Sequence, residues 1–259
     1  MTGPRFATDV VHANLKSKSE YFGNKASTSI FIVCREKHFK VTEDNIMYVI
    51  AINGSPRKDF NTAILLGHAL RGAKSVGAIT EMIHLYDFLY SGCMSCFACK
   101  HKQNAGSGHC AVQDELSPVL EKIMACDVLL LGSPIYFSDV TGMMRAFMER
   151  LLFMNLTYND PYRSAPGKHI SSAFFFTMNL PKEGEQYYTP LFEQNSKCFN
   201  LLGGSTEYLA SFDTYQFDDY TKYAAGIFSV ENKKQVREKQ WPLDCQKAFE
   251  IGARLALNQ

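Results

Sequence analysis

What this chain of 259 residues lacks narrows it before any motif is read. It has no surplus of charge: 27 Lys and Arg stand against 26 Asp and Glu, a formal net charge of +1. No basic field is therefore available to draw a nucleic acid or an anionic membrane. No apolar run approaches the roughly 20 residues of a membrane span, so no membrane association is expected. The N-terminal stretch lacks the apolar segment of a secretory signal, which leads to the expectation of a cytoplasmic protein. Internal repeats and low-complexity tracts are absent. Two phosphate-binding signatures are missing as well, the Gly-Lys-Ser/Thr of the nucleotide-hydrolase loop and the Gly-x-Gly-x-x-Gly dinucleotide fingerprint.

What is present is an ordinary globular composition, 46% hydrophobic and 20% charged, which excludes a wholly disordered chain. Residues 1–45 show one short apolar run, 29–34, then a basic segment, 35–40. They read as an N-terminal extension, packed on the surface or on a partner subunit. Residues 46–259 follow as one domain.

That domain alternates strands and helices. Continuous apolar runs at 46–52 and 127–132 suit strands buried on both faces of a parallel sheet. Further strands are expected at 79–86, 170–177 and 206–212. Helices are expected from Asn61 or Thr62, from Asp114, from Thr141, over 188–202 and from Trp241. His84, inside the second strand, reads as structural. The alternation predicts an α/β fold with a doubly wound five-stranded parallel sheet covered on both faces. In such sheets ligands bind at the carboxyl ends of strands, where strand order reverses. With the order 2-1-3-4-5, the loops after strands one and three share that point.

The first of these loops, 53–62, joins a strand to a helix N-terminus, where free backbone N–H groups and the positive end of the helix dipole favour an anion. Ser55, Arg57, Asn61 and Thr62 add side-chain donors, so the loop reads as a phosphate cradle. The second, 133–139, is a polar, aromatic loop.

Asn53-Gly54-Ser55-Pro56-Arg57 with Asn61-Thr62, then Gly132-Ser133-Pro134-Ile135-Tyr136 with Gly142-Met143-Met144-Arg145-Ala146-Phe147, resembles the flavodoxin-like NAD(P)H-dependent FMN reductase superfamily over residues 46–152. With Cys93, Cys96 and Cys99 added, the chain is most similar to the iron-sulfur flavoproteins, whose compact cysteine motif sits between the second strand and second helix. The resemblance implies that Ser55, Arg57, Asn61 and Thr62 hold the FMN phosphate. It implies that Ser133, Pro134, Ile135, Tyr136 and Phe137 line the isoalloxazine and that Met178 and Asn179 close a third side. NAD(P)H and a small-molecule or ferredoxin-type electron donor or acceptor would be partners. A homodimer or homotetramer is implied too, with the cysteine loop of one subunit near the flavin of another.

Four of the eight cysteines, Cys93, Cys96, Cys99 and Cys110, fall in a long loop expected at 87–113, and loops of that length usually carry function. The tight triple suits thiolates directed at one face of a cubane, with Cys110 as fourth ligand. The gap 100–109 exceeds the one in the family being compared. Three readings stay open here: a [4Fe-4S] cluster, a loop without metal, and a four-cysteine zinc site. Cys34, Cys126, Cys198 and Cys245 stand alone and read as buried structural thiols. The functional expectation is an FMN-dependent oxidoreductase passing electrons between cluster, flavin and partner. The alternatives are a cluster-free FMN or quinone reductase and a non-enzymatic flavodoxin-like electron carrier or redox sensor. No catalytic acid or base is named, because the chemistry would belong to the cofactors.

Overall fold

The computed structural model describes residues 30–34, 37–41, 46–104, 108–158 and 169–257. Most of the N-terminal extension and the Gly106-Ser107 stretch of the cysteine loop lie outside them. The chain divides into two units, Met1–Glu43 and Asp44–Gln259. Within the first, β1 (Ile30–Cys34) pairs antiparallel with β2 (Lys37–Val41), so the basic segment continues as a strand.

The second unit is built on a parallel sheet. Its strands are β3 (Tyr48–Asn53), β4 (Ile79–His84), β5 (Val128–Tyr136), β7 (Ile170–Thr177) and β8 (Gly203–Ser211), in the order β4-β3-β5-β7-β8. This is the 2-1-3-4-5 order expected. A sixth strand, β6 (Asp139–Val140), was not expected. It pairs antiparallel with the end of β5, Ile135 opposite Val140 and Tyr136 opposite Asp139.

Strand side chains alternate between two cores, because successive Cβ atoms point to opposite faces. Val49, Ala51, Val128, Leu130, Ala173 and Phe175 pack against helices α1 (Asn61–Ser75) and α6 (Trp241–Leu257). Ile50, Ile52, Leu129, Leu131, Phe174 and Phe176 pack on the other side against α2 (Ser117–Ala125), α3 (Gly142–Asn155) and α4 (Glu185–Lys197). Each fully buried Phe or Leu contributes about 1.5–3 kcal/mol relative to exposure, so the strands hold the sheet between its helix layers. A short helix, α5 (Val230–Gln235), precedes α6.

Several boundaries differ from the pattern. The Asp114 carboxylate does not cap α2 directly; it accepts from the Leu116 N–H at 3.1 Å and pairs with Arg150, and the helix begins at Ser117. The helix expected over 188–202 is α4 followed by a 3-10 turn to Leu202. It stops at Gly203, whose φ of 83° suits glycine. Cys126 and Cys245 are buried, but Cys198 is exposed, which corrects its reading as a core thiol. The Cys34 side chain falls outside what is described.

Candidate functional site

The carboxyl ends of β3, β5 and β7 open onto one cleft of about 410 Å³. Ser55, Arg57, Asn61, Thr62, Pro134, Ile135, Tyr136, Met178 and Asn179 all line it, joined by Phe60, Thr177, the segment 214–217 and Tyr223.

The first wall is the loop after β3. Asn53 is fully buried and orders the turn: its Oδ1 accepts from the Ser55 N–H at 3.0 Å and its Nδ2 meets His84 Nδ1 at 2.9 Å. His84 therefore accepts through Nδ1, and burial lowers its pKa below the ordinary value. Ser55 Oγ accepts from the Arg57 N–H. Helix α1 starts at Asn61 with no side-chain cap, so its first-turn N–H groups have no side chain bonded to them at the cleft. Two glycines permit the close approach. A Cβ on Gly54 would come within 2.8 Å of Met144 Cε, and one on Gly132 within 2.7 Å of Leu66 Cδ1.

The second wall corrects the loop reading of 133–139. The β5 strand runs on to Tyr136 and returns through a two-residue hairpin, Phe137 and Ser138, with φ of 48° and 65°. Positive φ at both central positions matches the tight turn that follows strand twist. Ser133 and Phe137 are not among the residues that line the cleft. Ser133 is fully buried, and its hydroxyl donates to the Pro134 carbonyl and accepts from the Thr141 N–H; Phe137 is fully exposed at the turn. Tyr136 is partly exposed, and burial, then the neighbouring Tyr86, raise its phenol pKa against the opposing pull of Arg57.

The third wall joins Asn179 to the segment after β8, where no site residue was expected. Arg57 Nη1 donates to the Gln216 carbonyl at 2.7 Å, and Asn61 Nδ2 to the Tyr215 carbonyl at 2.6 Å. The Thr62 and Thr177 hydroxyls lie 2.8 Å apart. Lys233, from α5, is almost fully buried behind this wall. It bonds to Asn179 Oδ1, to Asp213 Oδ1 at 2.6 Å and to the Thr214 carbonyl at 3.3 Å. The density of aromatics at Tyr215, Phe217, Tyr220 and Tyr223 was the available signal.

The cysteine loop lies along α3. Cys93, Cys96, Cys99 and Cys110 line one narrow pocket together with Met94, Phe97, Arg150 and Phe153. Ser95 and Phe97, on either side of Cys96, have φ of 55° and 56°, a conformation that costs non-glycine residues about 1–3 kcal/mol. The loop is fastened to α3 by Tyr90 Oη to the Met143 carbonyl, by the Cys93 N–H to Glu149, and by Phe97 edge-on to Phe153 at 5.8 Å. Arg150 Nε donates to Cys110 Sγ at 3.1 Å. Four thiols are a donor set that fits an iron-sulfur cluster or zinc. Among the described residues, though, no three His, Cys, Asp or Glu side chains stand close enough to share an ion, so metal binding would draw the sulfurs together. No described helix is long and apolar enough to cross a membrane.

Residues 47–172 match the family model of the NADPH-dependent FMN reductases. An iron-sulfur flavoprotein of Methanocaldococcus jannaschii is 36% identical over 40% of this chain and 51% of its own. Another, from Archaeoglobus fulgidus, is 38% identical over 40% of this chain and 48% of its own. The match thus spans about half the length of each. Among solved structures, an NAD(P)H:quinone oxidoreductase from Methanothermobacter marburgensis superposes with a TM-score of 0.60 at 13% identity, covering 81% of this chain and 99% of that one. That likeness speaks for the flavodoxin-like fold.

Proposed function

Because residues 47–172 match the family model of the NADPH-dependent FMN reductases, we propose that the chain is a member of that superfamily and a flavin-dependent oxidoreductase of the iron-sulfur flavoprotein type. In this reading residues 46–259 bind FMN and residues 1–45 are an extension. The observation that carries it is the single cleft in which the uncapped start of α1, Arg57, Asn61 and Thr62 face Pro134, Ile135 and Tyr136.

The α1 N–H groups, the Ser55 and Thr62 hydroxyls, Asn61 and the Arg57 guanidinium hold the phosphate. Arg57 and Asn61 exchange the carbonyls of Gln216 and Tyr215 for phosphate oxygens, which supply stronger, charge-assisted acceptors. The Pro134–Tyr136 edge lines the ring, and Met178 and Asn179 close the far side. Cys93, Cys96, Cys99 and Cys110 hold a [4Fe-4S] cluster. When bound, FMN handles electrons in pairs or singly and the cluster singly, which suits exchange between NAD(P)H and a small-molecule or ferredoxin-type carrier. The protein works as a homodimer or homotetramer in the reducing cytoplasm, where the thiols stay available.

A second reading, a cluster-free NAD(P)H-dependent FMN or quinone reductase, is favoured by the spacing of the thiols in the described structure. One anaerobic preparation separates the two. About four irons per chain alongside FMN supports the first. Iron absent after anaerobic reconstitution, with flavin still bleached rapidly by NADH or NADPH, supports the second. Failure of the chain to retain FMN sinks both.

A further inference from the structure

One buried side chain touches both ends of the cysteine loop. The Arg150 side chain is inaccessible to solvent, and a guanidinium has five N–H donors in a fixed fork. All five find acceptors. Nη1 donates to the Ser91 carbonyl at 3.2 Å, just before Cys93, and to Asp114 Oδ2 at 2.7 Å. Nη2 donates to the Val112 carbonyl at 3.2 Å and to Asp114 Oδ1 at 3.3 Å, just after Cys110. Nε, the remaining donor, goes to Cys110 Sγ at 3.1 Å.

We infer that Arg150 is the positioning residue for the fourth thiolate: it clamps the two ends of the loop so that Cys110 meets the Cys93–Cys99 turn, and it keeps an N–H···S bond on Cys110. This rests on the cluster reading above. The clamp answers the difficulty of the ten residues between Cys99 and Cys110. Closing that span costs conformational entropy, and the fork offsets it by fixing Ser91 and Val112 through one rigid side chain. Lysine cannot do the same, since a single ammonium has three donors and no fork. A buried cation donating to a ligand sulfur also favours the more negative, reduced state of a bound cluster, so it raises the midpoint potential.

The test uses the full chain as wild type, Arg150→Met and Arg150→Lys, reconstituted anaerobically with iron and sulfide. Arg150→Met is expected to lose several-fold more iron than wild type on desalting. Arg150→Lys is expected to keep more iron than Arg150→Met, with a midpoint potential shifted negative of wild type. Arg150→Met with wild-type circular dichroism, iron content and potential overturns the inference. Should Arg150→Met not fold, an unshifted potential in Arg150→Lys overturns it. If wild type takes up no iron, the cluster reading fails instead, and the metal-free chain decides the clamp. Alkylation of Cys110, followed by peptide mass, should then differ several-fold in rate between Arg150→Lys and wild type, and equal rates overturn the assignment.

Discussion

The Thr141 hydroxyl donates to the Gly54 carbonyl oxygen across 2.7 Å and accepts from the Met144 N–H at 3.2 Å. It therefore ties the loop after β3 to the N-terminus of α3 and caps that helix at once. Thr141→Val keeps the shape and removes both bonds, leaving buried groups without partners. A loss of roughly 2 kcal/mol is expected from urea denaturation, with weaker FMN retention. Unchanged stability would mean that the two loops are held together by something else.

Arg57 is exposed and stacks over the Phe60 ring, 3.5 Å from its centroid. Arg57→Ala should leave the unfolding midpoint nearly unchanged. FMN affinity should fall by about tenfold or more, the value of one charge-assisted bond to phosphate. Fluorescence titration of the flavin-free protein reads it; equal dissociation constants would remove Arg57 from the phosphate site.

Lys233→Met should destabilise the chain by about 3 kcal/mol or more, since it strands the Asp213 carboxylate in a half-buried position. Adding Asp213→Asn should recover part of the loss, because the two residues form one network and their effects are not additive. Simple additivity in the double variant would show that the pair is not coupled.

Asp114 supplies a pH dependence. Burial alone would raise its carboxyl, but the Arg150 hydrogen bond and charge, with help from the Leu116 N–H and Ser117 hydroxyl, hold it below the ordinary value. A folded-state value below the unfolded one means that the unfolded chain binds the proton more tightly. The stabilisation is therefore complete above the unfolded value of about 4 and is lost as pH falls through the depressed folded value. Urea midpoints for wild type should drop between pH 6 and pH 3 more steeply than for Asp114→Asn. Parallel profiles would assign acid sensitivity to other groups.

Much of this was legible in the residues, and the exceptions have a common cause. The parallel sheet covered on both faces was legible in continuous apolar runs such as 48–52 and 128–131 alternating with helices, whereas the 2-1-3-4-5 order came with the flavodoxin-like resemblance. Ser55, Arg57, Asn61 and Thr62 were readable because a strand, a turn and a helix start are local events. The hairpin at Phe137 and Ser138 was not, since its left-handed positions lack the Gly or Asn that signals such a turn. The 214–223 wall was hidden for another reason: its bonds to Asn61 and Arg57 join residues more than 150 positions apart. Arg150, read alone, is one charged residue in an amphipathic helix, and its meaning arises only where Ser91, Cys110 and Asp114 converge on it.

Helix α3 carries the hairpin's return at its first turn and the cysteine loop along its flank, over a length of about 20 Å. Its substitutions should therefore be pleiotropic, with flavin occupancy and loop thiol reactivity changing together, whereas changes confined to the start of α1 should affect flavin alone. In a mutational screen scored separately for the two traits, α3 would be the place where they cannot be inherited apart.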